Sequence, residues 1–539
     1  MAIFQSSIST SSDSFAKNKA AAEAALDNVR AIEGRVRALS AAKQASFEKK
    51  GQRLPRDRVA MILDPRTPFL EFSPLAGYGM HDDDGKEDVF GGGIITGIGV
   101  VSGVQCVINA SDSAIKGGTI SPMGLQKTLR AQTIALEQKL PLIDMVESGG
   151  ANLAYQSEVY IPGGQSFRNM ARLSAAGIPH ITIVHGSSTA GGAYVPGLSD
   201  YVIMVRDRAR VFLAGPPLLK AATGEIATDE ELGGAEMHCD VSGVSEYIAE
   251  NDDDAIRLAR DLMAMSGWRD GQACGDSSSY PEPKYAPEEL AGVTPPDYRT
   301  PYDCREVMAR IVDASDLIEF KARWGADTVC THAHIGGNAV GILGNNGPIT
   351  PEGAAKAAQF IQACCQTDTP LVFLQNTTGF MVGVDVERSG IVKHGSKMIQ
   401  AMANAHVPRI TINIGASFGA GNYAMCGRAY DPSFLFAWPN AKMAVMGPEQ
   451  AGKVLRIVSE AKAARAGKPA DEQKLDAMEK AVSDGVRAQT GALFATARLW
   501  DDGIIDPADT RRILIYTLSI VKSARVRNVF PSSFGVGRM

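Results

Sequence analysis

Two short segments of the 539-residue chain hold residue types that leave backbone amides bare at the start of a helix. They are Gly186-Ser187-Ser188-Thr189-Ala190-Gly191-Gly192-Ala193-Tyr194 and Gly415-Ala416-Ser417-Phe418-Gly419-Ala420-Gly421-Asn422-Tyr423. Each follows a β-branched run, Ile181-Thr182-Ile183-Val184 or Ile410-Thr411-Ile412, of the kind that forms a buried strand. A strand running into a helix through such a turn presents N–H groups with no partner inside the helix, and the helix dipole favours negative charge there. That is how an oxyanion hole is built. Gly or Ala is required, because a larger side chain would hold the reacting oxygen away from the amides. Gly191, Gly192, Gly419, Ala420 and Gly421 are therefore the candidate catalytic positions. Close strand-to-helix packing selects the same small residues, so one such turn says little, and two in register say much more.

A second matched pair lies upstream, Glu147-Ser148-Gly149-Gly150-Ala151-Asn152 and Asn376-Thr377-Thr378-Gly379-Phe380-Met381. Each closes a strand-like run, and the same small and hydroxyl residues serve helix capping or ligand binding. Ser148, Gly149, Gly150 and Ala151, with Thr378, Gly379 and Phe380, are candidate binding positions. Lys116-Gly117-Gly118-Thr119 is a cationic, flexible loop suited to a phosphate or an amide, although a plain surface turn reads the same way. Gly415-Ala416-Ser417-Phe418-Gly419 also fits a GxSxG nucleophile elbow, whose acid and His must follow the Ser. The last of the eight His residues is His406, so the fit is coincidental. His238 reads as a hydrogen-bonded structural His rather than a base. No GxxxxGK[ST] loop and no strand-following GxGxxG occurs, which argues against ATP hydrolysis and dinucleotide redox.

These turns belong to halves that repeat one another. Pro179-HITIVHGSSTAGGAY matches Pro408-RITINIGASFGAGNY with a constant offset of 229 positions (179 to 408, 194 to 423). Pro141-LIDMVESG-Gly150 matches Pro370-LVFLQNTTG-Phe380, and Leu63-Asp64 through Glu71-Phe72 matches Val312-Asp313 through Glu319-Phe320. Short β-branched strands ending in Gly-rich turns and helices predict two homologous α/β domains. The expected organisation is a helical arm over 1–50, a first domain over 51–270, a linker over 271–300 and a second domain over 301–539. The linker rests on Ser277-Ser278-Ser279 and the run of prolines from Pro281 to Pro301. Residues 451–490, rich in Lys, Glu and Ala and divided by Gly467 and Pro469, predict a solvated helical hairpin with no counterpart in the first half.

The net charge of −6 argues against a nucleic-acid surface, which needs broad basic patches. No apolar run reaches the roughly 18 to 20 residues that span a bilayer, and the N-terminus lacks a signal pattern. Eight cysteines with no CxxC pair fit a reduced, cytoplasmic compartment. Cys330, His332 and His334 alternate along a strand without a fourth ligand nearby, so no metal site is assigned. Cys364-Cys365 reads as buried small hydrophobes.

At these residues the chain resembles the carboxyltransferase family of biotin-dependent acyl-CoA carboxylases, in its methylcrotonoyl-CoA and geranyl-CoA branch. The likeness runs through RLPRDR at 53–58, SGGANL at 148–153, STAGGAYVPGLSD at 188–200, FLAGPPLLKAATGE at 212–225 and ELGGAEMHCDVSG at 231–243. It continues through QNTTGFMVG at 375–383, GIVKHGSKMIQAMANA at 390–405, GAGNYAMCGRAYDP at 419–432 and ARLWDDGIIDPADTR at 497–511. The resemblance implies an α/β fold of two crotonase-like (ClpP/crotonase) ββα-superhelix domains and a hexameric core within an alpha6beta6 complex. It also implies a partner alpha subunit with biotin carboxylase and biotin-carrier domains, and an active site between the N-domain of one subunit and the C-domain of another. The chain itself has no Met-Lys-Met biotin attachment site.

The family's chemistry explains a duplicated turn, since carboxyl transfer creates negative charge on the thioester oxygen of the acyl-CoA and on the ureido oxygen of biotin. By resemblance, Gly191-Gly192 holds the first, and Ala420-Gly421, with Gly419 shaping the turn, holds the second. Lys116-Gly117-Gly118, Ser148 to Ala151 and Thr378 to Phe380 then contact the CoA and biotin carriers. Val159-Tyr160-Ile161-Pro162-Gly163-Gly164-Gln165-Ser166-Phe167-Arg168-Asn169-Met170 is shorter and less aromatic than its counterpart in methylcrotonoyl-type relatives. If it lines the acyl end, Gly163, Gly164 and Phe167 shape a deeper pocket, and the expectation is geranyl-CoA carboxylated at its γ carbon. Methylcrotonoyl-CoA carboxylase is the alternative, and a biotin-dependent decarboxylase uses similar site residues. A hydratase, isomerase or protease of the same fold would need a positioned acid/base or triad within one domain.

Overall fold

A proline at the first helical position and a hydroxyl before it start the same helix twice. Helix Pro122–Glu137 begins with Ser121 Oγ accepting from Gly124 N (3.0 Å), and helix Pro351–Gln366 begins with Thr350 Oγ1 accepting from Gly353 N (3.1 Å). Each helix carries a fully buried lysine one turn in, Lys127 and Lys356, again 229 apart (127 to 356). A buried ammonium needs acceptors. Lys127 Nζ finds the carbonyl of Ile94 at 2.6 Å, and Lys356 Nζ that of Gly325 at 3.4 Å with Glu319 at 3.8 Å.

The computed structural model describes residues 3–83, 89–268, 280–467 and 471–537. The part of the expected linker between 271 and 279 lies outside the described residues. The first half forms an eight-stranded sheet. Its strands are β1 (Leu70–Phe72), β2 (Ile94–Val101), β3 (Val104–Ser111), β4 (Leu142–Ser148), β5 (His180–Thr189), β6 (Tyr201–Val205), β7 (Arg210–Phe212) and β8 (Tyr247–Ala249). The order is β1-β2-β3-β4-β5-β6-β8, with β7 pairing β5. The second half forms a seven-stranded sheet from β9 (Ile318–Glu319), β10 (Thr328–Ile335), β11 (Asn338–Asn345), β12 (Leu371–Thr377), β13 (Arg409–Phe418), β14 (Phe434–Ala437) and β15 (Lys442–Ala444). Its order is β14-β13-β12-β11-β10-β9, with β15 pairing β13.

In each sheet an antiparallel hairpin, β2–β3 or β10–β11, feeds parallel strands through helical crossovers, the pattern of mixed α/β units. One carboxylate anchors each hairpin turn. Asp64 accepts from the amides of Ser102 (2.9 Å) and Gly103 (2.7 Å), and Asp313 from those of Gly336 (2.9 Å) and Gly337 (2.8 Å). The β4–β5 and β12–β13 pairs share one register, Leu142 opposite His180 and Leu371 opposite Arg409. They share even the irregularity at the end, between Val146 and Ser148 and between Gln375 and Thr377. Apolar side chains of these strands and crossovers form a core in each half, with Ile143, Ile181, Ile183 and Ile203 in one and Leu343, Phe360, Leu371 and Phe373 in the other.

By compactness the chain divides into two units that draw on both chain ends. One contains Ala31–Gly275, Ala497–Leu499 and Ser519–Met539, and the other contains Met1–Arg30, Asp276–Thr496 and Trp500–Leu518. The ends are held by polar contacts, since Ser532 N donates to Ala175 O (2.8 Å) and Ser6 Oγ to Glu306 (2.6 Å). The Lys/Glu-rich segment forms helices Pro448–Arg465 and Glu472–Ala488, which pack together and are pinned by Arg456 against Glu460, Glu472, Asp476 and Glu479. Among the described residues no helix is long and apolar enough to cross a membrane. Cys364 is buried and Cys365 half-buried, and both are free thiols.

Candidate functional site

The end of β5 leads into a turn at Ala190–Ala193 and a short helix Tyr194–Leu198, while the end of β13 leads directly into helix Gly419–Ala424. Both turns open with a residue in the left-handed region, Ala190 (φ 52°) and Gly419 (φ 54°). An L-residue such as Ala190 stores roughly 1 kcal/mol or more in that conformation, which the surrounding structure must hold. The next residue is exposed in each turn, Gly191 and Ala420, and the one after it is buried, Gly192 and Gly421. The first amides of such turns are not used within the helix, so the five candidate positions form two equivalent turns, one in each half, of a shape that can receive an anion.

Each turn is backed by the other strand-end turn of its own half. Gly150 (φ 93°) and Gly379 (φ 120°) take a backbone shape that glycine favours. A Cβ on Gly421 would lie 2.9 Å from Gly379 Cα and 2.9 Å from Thr377 Cγ2, a distance only glycine allows. In the first half, a Cβ on Gly118 would lie 2.0 Å from Glu147 O, so Lys116-Gly117-Gly118 rests backbone to backbone on the end of β4. Ile120 N donates to Gly150 O (2.9 Å) and Asn152 N to Ile120 O (3.0 Å), fixing the loop to Ser148–Ala151. The second half repeats this with Ile349 N to Gly379 O (2.9 Å) and Met381 N to Ile349 O (2.9 Å). Phe380 turns its ring onto helix Ile391–Ala403, where a Cβ on Gly395 would meet it at 3.0 Å, and Thr378 stays exposed.

Lys116 is engaged, its Nζ 2.8 Å from Asp82 Oδ2. Asp82 also accepts from Tyr155 Oη (2.6 Å) and Asn152 Nδ2 (3.4 Å). The hydrogen bonds from Lys116 and then Tyr155 hold the Asp82 carboxyl below its usual range. A pocket beside them is lined by Gly92, Gly93, Lys116, Thr119, Asn152 and Tyr155.

The stretch from Val159 to Met170 lies within helix Gln156–Ala175, which runs through Pro162. Phe167 lies one turn beyond Gly163 and Gly164 on the same face. A Cβ on Gly191 would find Phe167 Cζ as its nearest neighbour, at 3.8 Å, and the Phe167 ring sits 5.3 Å from that of Tyr194. Nothing lies within 4 Å of a Cβ built on Gly163 or Gly164.

The rival serine is a structural residue. Ser417 is buried, donates to Gln375 Oε1 (2.7 Å) and accepts from Asn422 Nδ2 (2.7 Å). His238 is likewise committed, to Ser242 Oγ (2.7 Å) and Val211 O (2.6 Å). Sequence reasoning missed Asp82 and Tyr155, which bear on the Lys116 loop, and a buried charged cluster of Arg58, Glu147, His185 and Asp252. The signal for the cluster was present, since Arg58 and Glu147 stand in the RLPRDR and ESGGAN segments.

The carboxyl transferase domain model matches residues 47–536. The biotin-dependent 3-methylcrotonyl-coenzyme A carboxylase beta1 subunit of Mycobacterium tuberculosis is 49% identical over 493 residues, covering 91% of this chain and 92% of that protein. The mitochondrial methylcrotonoyl-CoA carboxylase beta chain of Arabidopsis thaliana is 44% identical over 548 residues, covering 100% of this chain and 92% of that one. The crystal structure of the geranyl-CoA carboxylase beta subunit of P. aeruginosa superposes with a TM-score of 0.94 at 55% identity, covering 100% of both chains. The fold is thus the crotonase-like carboxyltransferase fold in two copies. The chain belongs to the carboxyl transferase domain family, as the carboxyltransferase of a biotin-dependent acyl-CoA carboxylase.

Proposed function

We propose that the acyl-CoA is geranyl-CoA and that the carboxyl group is delivered to its γ carbon, as in acyclic terpene degradation. The observation that carries this reading is the unobstructed helix surface at Gly163 and Gly164, one helical turn from Phe167, whose ring is the nearest neighbour of a Cβ on Gly191. A bulky residue at either position would obstruct that surface, and a branched isoprenoid tail needs it open. The 55% identity to the P. aeruginosa geranyl-CoA carboxylase beta subunit over the whole chain supports the same choice.

In this reading the exposed amides of the Gly191-Gly192 turn hold the thioester oxygen as it gains charge. The Lys116 loop and Ser148 to Ala151 hold the CoA, with Lys116 exchanging Asp82 for a ligand anion. The Gly419-Ala420-Gly421 turn fits an oxyanion of biotin, because Gly421 is packed too tightly for a side chain and Ala420 presents only a methyl. Thr378, Gly379 and Phe380 support that turn from behind. Biotin, carried by a biotin carboxylase/biotin-carrier alpha subunit, supplies the carboxyl group. This chain forms the hexameric core and works in the cytoplasm. Two anion-holding turns explain why no protein base is needed, since the proton can leave with the biotin anion.

The experiment is ATP- and bicarbonate-dependent carboxylation by the chain with its biotinylated partner, comparing geranyl-CoA, methylcrotonoyl-CoA and propionyl-CoA. A geranyl-CoA preference is expected. Activity on methylcrotonoyl-CoA alone would leave the family standing and overturn the substrate assignment, consistent with the methylcrotonoyl relatives.

A further inference from the structure

The two turns share a backbone but stand on different supports. The last strand residue but one before each backing turn folds over a glycine of the next strand, Glu147 over Gly186 and Asn376 over Gly415 (147 to 376 and 186 to 415, both 229). Asn376 is neutral, and its Oδ1 accepts from Ala416 N (3.2 Å). The adjacent Gln375 accepts from Ser417, which in turn accepts from Asn422. Glu147 is a carboxylate. It accepts from Arg58 Nη1 (2.8 Å), Ser113 Oγ (2.9 Å) and Gln52 Nε2 (3.0 Å). Its own carbonyl is the atom on which Gly118 rests, and Ser113 lies at the start of the segment leading to Lys116. One side chain thereby ties together the end of β4, Gly186 of β5 and the Lys116 loop.

A half-buried carboxylate set against Gly186, on the strand that leads to the first-half turn, would oppose negative charge gathered at that turn. Here it is cancelled. Burial alone would raise the Glu147 carboxyl, but the charge and hydrogen bond of Arg58, with Ser113 and Gln52, bring it below its usual range. Arg58 is 2% exposed and also reaches Asp252 Oδ2 at 3.2 Å. Asp252 is shared with fully buried His185 (2.9 Å) and, at 3.8 Å, with Arg208. Burial, and then the charge of Arg58, push the His185 imidazole down, which keeps it neutral.

We propose that Glu147 and Arg58 are positioning residues of the first-half turn, Glu147 fixing the turn, the glycine strand and the Lys116 loop as one piece and Arg58 cancelling its charge. This rests on the reading that the Gly191-Gly192 turn takes the thioester oxygen. In the second half a neutral amide, Asn376, stands at the position of Glu147.

The test is a double-mutant cycle in the complete complex with its partner, using Arg58→Gln, Glu147→Gln and both together. Arg58→Gln leaves the Glu147 carboxylate uncompensated. It is expected to lower kcat by about 10- to 100-fold, the scale of a displaced reacting group, with a smaller change in KM for acyl-CoA. Glu147→Gln keeps the shape and its acceptor oxygen and is expected to lower kcat by less than about 5-fold. The double variant should recover most of the activity that Arg58→Gln loses, a rescue that a merely structural role would not give. Decarboxylation of the carboxylated partner without acyl-CoA should stay at the parental rate in all three. A double variant no more active than Arg58→Gln, or equal losses in both assays, would overturn the proposal, as would a Glu147→Gln protein as inactive as Arg58→Gln. Should Gly191→Val keep full activity, the reading of the turn itself fails; should it lose activity while the cycle shows no coupling, only the positioning role fails.

Discussion

Gly191→Val separates a site residue from a packing residue. A Cβ at Gly191 meets nothing closer than Phe167 Cζ at 3.8 Å, the residue is exposed, and its φ is not left-handed. The protein around it therefore accepts the side chain, and a β-branched residue in a first helical turn costs less than about 1 kcal/mol. For a chain of this size that is a shift in Tm of roughly 2–4 °C at most. The oxygen to be stabilised must come within about 2.7–3.1 Å of the amide, space that the valine methyls occupy. Losing one oxyanion donor costs about 2.7–4 kcal/mol, so kcat for acyl-CoA carboxylation by the reconstituted complex should fall by about 10²–10³. Ala420 already carries one methyl at the equivalent position, so Gly191→Ala should fall between glycine and valine. Gly421→Ala is the control of opposite type. Its Cβ would sit 2.9 Å from Gly379 Cα, and overpacking of that kind costs about 1–3 kcal/mol, so it should lower Tm as well as activity. A Gly191→Val protein with parental Tm and kcat within about 3-fold of the parent would refute the assignment, because that factor is far below the effect of losing a donor.

Gly164→Phe should fill the open space beside Phe167 and lower kcat/KM for geranyl-CoA while sparing methylcrotonoyl-CoA; full geranyl-CoA activity would exclude a role for that space. Asp82→Asn releases Lys116 from an exposed ion pair of about 0.2–1 kcal/mol, so KM for acyl-CoA should fall by up to about 5-fold, and Lys116→Met should raise it. Unchanged KM in both would show that the loop does not hold the CoA. Burial pushes the Asp501 carboxyl up to about 7, so the folded state keeps a proton between about pH 4 and 7 that the unfolded chain has released. This group's contribution to stability is therefore full below about pH 4 and lost as pH rises to 7, by at most about 4 kcal/mol. Asp501→Asn should raise Tm at pH 8 more than at pH 5 in thermal unfolding scans, and equal shifts at both would contradict the buried proton.

The repeat was readable because the residues that build it are local. Thr350 and Ser121 cap, Pro351 and Pro122 start, and β-branched runs make β5 and β13, each within a few positions of its partner. The turns stood out because two of them recur in register, whereas one alone reads equally as close strand-to-helix packing. What escaped depends on contacts between distant residues. Arg58 meets Glu147 across 89 positions, and Asp82 reaches Tyr155 across 73. The grouping of both chain ends with the opposite halves likewise rests on bonds such as Ser6 to Glu306. Helix Gln156–Ala175 was obscured for a different reason, because Pro162, Gly163 and Gly164 argue locally against a helix. Pro162 is the seventh residue of the helix and forfeits one intrahelical bond, which packing on the neighbouring helix offsets.

The constant offset sorts the residues by what they serve. Positions alike in both halves hold the scaffold: the hydroxyl caps, the buried lysines Lys127 and Lys356, and the left-handed Gly150 and Gly379. Positions that differ include several around the turns: Gly191 against Ala420, Glu147 against Asn376, and Lys116-Gly117-Gly118 against Asn345-Asn346-Gly347. On the proposed reading, two anions of different shape and carrier account for these differences, because each turn then admits its own ligand while the backbone that offers the amides stays the same.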